Sequence, residues 1–145
     1  MADLVTLSAY VGPLEKSTER LLRRYWPGPL TAVFRAHGLP RTLYGPEDGV
    51  GFRISAHPIA SELVRRFGWP VTSTSANRSG NRPARKVKGL REQFEGEDLL
   101  ILDGGKTPGG PASTVVSLLD PAHPALIRKG AVAWKEILRT MSDQR

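Results

Sequence analysis

The sequence predicts an α/β fold built on a mixed sheet with helices flanking it. Segments rich in β-branched and aromatic residues alternate with segments whose apolar residues recur every three or four positions. The strand-like runs include "LTAVFRA" (30–36), "VGFRI" (50–54) and "STVVSLL" (113–119). Several connections between strand-like runs are too short for a crossover helix, so antiparallel pairs are expected among parallel ones.

The elements follow in chain order. Ser17 or Thr18 is expected to cap a short helix carrying Leu21, Leu22 and Tyr25, which "WPGP" at 26–29 stops. The run at 30–36 is a strand, followed by a polar loop punctuated by Gly38, Pro40, Gly45, Pro46 and Gly49. In "VGFRI" the alternation puts Phe52 and Ile54 on one face and Arg53 on the other. His57-Pro58 opens a helix with Ile59, Ala60, Leu63, Val64 and Phe67 in one apolar stripe. "WPVTS" (69–73) is expected as a short strand, residues 82–93 as a basic helix, and "LLILD" (99–103) as a buried strand. A glycine-rich loop (104–111) leads into 113–119, and "ALIRKG" (125–130) gives a further strand. Trp134, Ile137, Leu138 and Met141 lie at i, i+3, i+4 and i+7 of a last helix.

The 145 residues suit one domain with a hydrophobic core; 39% are apolar and 24% charged, which excludes global disorder. The formal net charge of +7 favours anionic partners such as a nucleotide, pyrophosphate or RNA. With no cysteine, disulfides, thiolate catalysis and Cys-metal sites are excluded. The first residues have no basic segment followed by an apolar one, and no apolar run approaches a membrane span. A cytoplasmic location, away from membranes, is the expectation.

Four groups of residues carry possible chemistry. "TSTSANRSG" (72–80) places Ser73, Thr74, Ser75 and Asn77 after the expected strand at 69–73. Two readings stand: Ser/Thr and Asx turns, or the polar lining of a ligand crevice at a strand end. Arg53 lies within an apolar strand, facing either solvent or a carboxylate. "DGGKTPGGPAST" resembles a P-loop and fails its spacing: Leu100 stands where the motif needs glycine. From Val71 to Arg91 there is no acidic residue, whereas Arg78, Arg82, Arg85, Lys86, Lys88 and Arg91 are present, a stretch suited to phosphates or to plain solvation. His37, His57 and His123 show neither metal-ligand spacing nor pairing with a nucleophile, so no covalent catalysis and no resident metal are expected.

Several segments together resemble one family. "YWPGPLTAVF", "GVGFRISAHPIASELVRRFGWPVTSTSANRSG", "LILDGG", "GPASTVVSL" and "ALIRKGAV" are similar, in order, to the YrdC-like threonylcarbamoyl-AMP synthases. The resemblance implies a YrdC-like twisted mixed sheet with a concave basic cavity. It implies conversion of L-threonine, bicarbonate and ATP to threonylcarbamoyl-AMP and pyrophosphate, for tRNA modification, with Mg2+ accompanying ATP. Matching the motifs places Arg53, Ser73 and Ser113 on the threonine side and Ser75, Asn77 and Arg128 on the ATP side. It implies tRNA and a downstream threonylcarbamoyl transferase as partners. It favours pocket lining over turn chemistry at 72–80, with all these groups converging on one hollow. The family's early Pro-Thr-(Asp/Glu)-Thr-x-Tyr-Gly-Leu and Lys-x-Arg motifs have no counterpart here, so residues 1–145 are expected to form a single YrdC-like domain lacking its N-terminal third. The alternatives are a non-catalytic RNA- or nucleotide-binding module of the same fold, and a carbamoyl-transfer domain related to hydrogenase maturation proteins.

Overall fold

The chain enters its first helix, α1 (Leu4–Val11), through Asp3, whose carboxylate accepts from the Thr6 N–H at 2.7 Å and the Thr6 hydroxyl at 2.7 Å. One otherwise orphaned helix donor is thereby satisfied. The apolar pattern does not predict this helix; only the Asp3–Thr6 spacing signals it. Gly12 ends it with φ of 76°, a value that favours glycine. The computed structural model describes residues 1–107 and 109–143. They divide into two units, one of Met1–Pro70 with Pro111–Arg145, the other Val71–Gly110.

In the first unit, α2 (Lys16–Tyr25) starts earlier than the expected cap. Glu15 holds the N-cap position and makes no side-chain cap, while Ser17 and Thr18 lie inside the first turn. The reason is packing. Thr18, Leu21 and Leu22 share a buried face at helical spacing, so the helix must already be formed at Thr18. Trp26 closes it, its N–H on the Leu22 carbonyl. The Trp26 indole donates at 2.7 Å to the Leu30 carbonyl inside the core. A Cβ at Gly28 would lie 2.3 Å from the Tyr25 carbonyl oxygen, so only glycine fits between helix and strand.

The sheet contains β1 (Leu30–Arg35), β2 (Gly49–Phe52), β3 (Thr114–Ser117) and β4 (Ala125–Arg128) in the order β2-β1-β3-β4. β1 pairs antiparallel with β2, with Ala32 opposite Phe52, and parallel with β3, with Leu30 opposite Thr114. β3 pairs antiparallel with β4 across a bulge at Val115/Val116. The expected mixture of pairings is therefore present. Leu30, Ala32 and Phe34 alternate onto the buried face of β1, and Val50, Phe52 and Val116 extend that buried set along β2 and β3. Leu7, Leu21, Leu22 and Ile137 of the helices complete the core. The final helix, α5 (Trp134–Ser142), packs on α2. Arg20 joins them: its guanidinium donates to the carbonyls of Thr140 (2.8 Å) and Met141 (2.9 Å) in the last turn of α5, where free carbonyls favour a cation.

The helix expected from His57-Pro58 forms as α3 (Pro58–Phe67), with Pro58 in its first turn and Gly68 left-handed at its end. Its apolar stripe is not buried: Ile59, Leu63 and Phe67 are 39%, 47% and 60% exposed.

The second unit departs most from expectation. Helix α4 (Val87–Gln93) covers part of the basic segment. Residues 99–103 form no strand, nor do residues 69–73 at its border with the first unit. Leu100 is 92% exposed rather than buried. An apolar run becomes a strand only where another strand meets its N–H and C=O groups, and neither segment takes part in the sheet. Among the described residues no helix is long and apolar enough to cross a membrane.

Candidate functional site at one end of the sheet

The antiparallel partners of β1 and β3 determine what gathers at one rim. β1 begins at Leu30 and β3 at Thr114, whereas β2 and β4 run the other way and finish there. Arg53, Gly28, Ser113 and Arg128 thus stand at the same end of four adjacent strands. The strand starts, as much as the carboxyl ends, build this rim.

The contacts along it are specific. Arg53 Nε donates to the Gly28 carbonyl at 2.8 Å. The Ser113 hydroxyl lies 2.9 Å from the Thr31 hydroxyl. Arg128 donates to the Ser113 carbonyl at 3.0 Å and to the Ser113 hydroxyl at 3.1 Å. Ser113 is itself 8% exposed, so its hydroxyl is held between a hydroxyl and a guanidinium at the edge of the core. Arg53 and Arg128 form no ion pair among the described residues, and their charge is free to meet a carboxylate or phosphate.

The backbone beneath is fixed. The Thr114 hydroxyl donates to the Val132 carbonyl at 2.7 Å and accepts from the Val132 N–H at 2.9 Å, both buried. The Thr114 N–H bonds to the Pro29 carbonyl, and the Ala131 N–H to the Ala112 carbonyl. A Cβ at Gly130 would sit 2.4 Å from the Ala112 oxygen and 2.4 Å from the Thr114 nitrogen. Glycine is required there because two chain segments touch.

Of the six predicted site residues, the rim brings together Arg53, Ser113 and Arg128. Arg128, expected on the nucleotide side, is bonded directly to Ser113, expected on the threonine side. Sequence reasoning passed over Thr31 and Gly130. The alternation in "LTAVFRA" carries a signal for Thr31, since it falls opposite the Leu30–Ala32–Phe34 face. Gly130 offers no such signal in a single sequence.

The other three predicted residues lie in the second unit. Ser73 and Ser75 are exposed. The Ser75 carbonyl accepts from the Asn77 N–H at 3.0 Å and from the Thr74 hydroxyl at 3.2 Å. The Asn77 amide donates to the carbonyls of Arg78 (3.0 Å) and Asn81 (2.9 Å), while its Oδ1 is buried without a partner among the described residues. These bonds make a knotted polar turn. Arg78 is tied to the Gln93 carbonyl at 2.6 Å and paired with Glu97. Thr107 of the glycine-rich loop exchanges bonds with Arg85: Arg85 Nε donates to the Thr107 carbonyl and the Thr107 N–H to the Arg85 carbonyl. Two of the histidines have local partners. The His57 N–H bonds the Ser55 hydroxyl, and His123 Nδ1 lies 2.8 Å from Asp120.

Comparison with known proteins bears on this geometry. A family model, Sua5/YciO/YrdC, described as "Telomere recombination", matches residues 1–130. The threonylcarbamoyl-AMP synthase of Pyrococcus abyssi (strain GE5 / Orsay) is 34% identical over 146 residues, covering 100% of this chain and 43% of that protein. That of Bacillus subtilis (strain 168) is 35% identical over 140 residues, covering 94% of this chain and 40% of the relative. The chain therefore spans about two fifths of the length of these relatives. Among solved structures, P. abyssi Sua5 complexed with L-threonine superposes with a TM-score of 0.85 at 33% identity, over 98% of this chain and 42% of that one. E. coli YciO superposes with a TM-score of 0.81 at 28% identity, over 94% and 66%.

Proposed function

The chain belongs to the Sua5/YciO/YrdC family, and from that premise we propose that it is a threonylcarbamoyl-AMP synthase domain that binds L-threonine at the rim of its sheet. The observation that carries the reading is the Arg53–Thr31–Ser113–Arg128 group: two guanidiniums, with no ion pair among the described residues, flanking two hydroxyls. A free amino acid offers a carboxylate for the cations and, in threonine, a hydroxyl for the serine and threonine side chains.

The reaction balances as follows. The threonine amine attacks the carbon of bicarbonate, forming a C–N bond and releasing water. A carbamate oxygen then attacks the α-phosphorus of ATP, and pyrophosphate leaves. Neither step needs a protein nucleophile. The chain's part is to hold the threonine carboxylate and to stabilise negative charge on the phosphoryl centre. Arg53 and Ser113 hold threonine. Ser73 is assigned to threonine, and Ser75, Asn77 and Arg128 to ATP, on their motif positions. Among the described residues no group of three or more His, Cys, Asp or Glu side chains could hold a metal ion. Mg2+ would arrive with the triphosphate and would supply charge neutralisation there. The reading places the protein in the cytoplasm, acting with bicarbonate, and passing its product to a transferase that modifies tRNA.

The test is pyrophosphate release from the purified chain with ATP, threonine and bicarbonate. Release that requires all three substrates and falls in Arg53→Ala supports the proposal. No release, together with RNA binding that weakens steeply with salt, would establish the binding-module reading in its place.

A further inference from the structure

At the opposite end of the sheet, β1 and β3 finish side by side and a cavity of about 200 Å3 opens against the start of α2. Its apolar wall includes Leu14, Phe34, Leu118 and Leu119. Glu15 and Arg35 also line it, with opposite charges and, among the described residues, no ion pair for either. Thr18 lines it too, is 1% exposed, and its hydroxyl has no hydrogen-bond partner among the described residues. A buried hydroxyl left unpaired is costly, and this one belongs to a residue of the cavity wall. No side chain caps α2, so its first-turn N–H groups are left for an anion. The carboxyl ends of adjacent parallel strands are also where open α/β sheets commonly take ligands.

We propose that this cavity is a second site, independent of the rim, for a small zwitterion with an aliphatic body, namely a free aliphatic α-amino acid. Arg35 and the first turn of α2 receive the carboxylate, Glu15 the ammonium, and Leu14, Phe34, Leu118 and Leu119 the hydrocarbon chain. A simple fatty acid would face repulsion from Glu15, and a simple amine from Arg35. A ligand carrying both charges meets both side chains at once.

L-leucine is the probe, titrated into the full 15N-labelled chain at millimolar concentration. Saturable amide shifts confined to residues 11–18, 34–35 and 118–119 are expected in the native protein. Arg35→Ala, at an exposed position, weakens binding by about tenfold, as does Glu15→Gln, while Arg53→Ala leaves it unchanged. Leu119→Phe narrows the cavity and abolishes binding, with a thermal melt confirming that the variant folds. No saturable shift with L-leucine means the cavity holds water only and overturns the proposal. Leucine binding that survives Arg35→Ala and disappears in Arg53→Ala overturns it as well, because the amino acid would then occupy the rim alone. Loss of threonine binding at the rim, with leucine binding intact, leaves this inference standing and removes the functional reading instead.

Discussion

Arg128 holds Ser113 at two points, with 3.0 Å to its carbonyl oxygen and 3.1 Å to its hydroxyl. One side chain thus fixes both the backbone at the start of β3 and the polar group that β3 presents. Ser113→Ala removes the hydroxyl bridging Thr31 and Arg128. Threonine affinity should fall by about 1 kcal/mol, roughly fivefold, with a stability loss of about 1 kcal/mol. Calorimetric titration with threonine and a denaturant melt measure the two separately. Unchanged affinity would remove Ser113 from the binding group.

Arg53→Ala is expected to weaken threonine binding by about 2 kcal/mol, the loss typical of a charged hydrogen bond. Arg53→Lys should recover only part, since an ammonium cannot present a guanidinium fork. The melting temperature should barely move, because the side chain is exposed and, among the described residues, bonds only the Gly28 carbonyl.

Gly130→Ala inserts a methyl group 2.4 Å from backbone atoms on both sides of Ser113. The start of β3 must shift to admit it. A loss of about 1–3 kcal/mol in stability is expected from such overpacking. Threonine binding should fall further than in Ser113→Ala. A variant as stable as the native chain would show that the contact between the two segments relaxes freely.

Arg20→Ala tests the fold away from the rim. Two bonds to the last-turn carbonyls of α5 are lost, for about 2 kcal/mol of stability, and the melt should show it. Threonine affinity, measured on the folded fraction, should be unchanged.

Much of the first unit was legible because its strands alternate and its helices repeat. "LTAVFRA" buries alternate residues, and Leu21–Leu22 and Ile137 fall on faces that period 3.6 puts inward. α1 was not legible, because its signal is a cap at Asp3 rather than a stripe. The expected strands at 69–73 and 99–103 show the opposite failure. Hydrophobic content marks what would like to be covered, but a strand also needs a partner in register, which composition does not encode. The site divides likewise. The oddity of an arginine in "VGFRI" pointed to Arg53, whereas Thr31 looked like an ordinary strand former and Gly130 like an ordinary turn.

Acid should weaken α1. Hydrogen bonds from Thr6 hold the Asp3 carboxyl below its usual range. A depressed folded-state pKa means the cap contributes above the unfolded value, near 3.8, and its contribution is lost as pH falls below that. Asp3→Ala should cost about 0.5 kcal/mol at neutral pH, the low end for an exposed cap, and the difference from the native chain should shrink toward pH 3. Parallel melts across that range supply the measurement.

The parallel match of Leu30 to Thr114 ties the interior and the rim to a single alignment. A lengthened or shortened turn ahead of β3 would be taken up outside the sheet. A one-residue indel within β3 itself would turn the residues on one side of it to the wrong face, Val116 outward or Thr114 outward and Ser113 toward the oily side, so drift in length among descendants of this sequence should be tolerated between the strands and purged inside them.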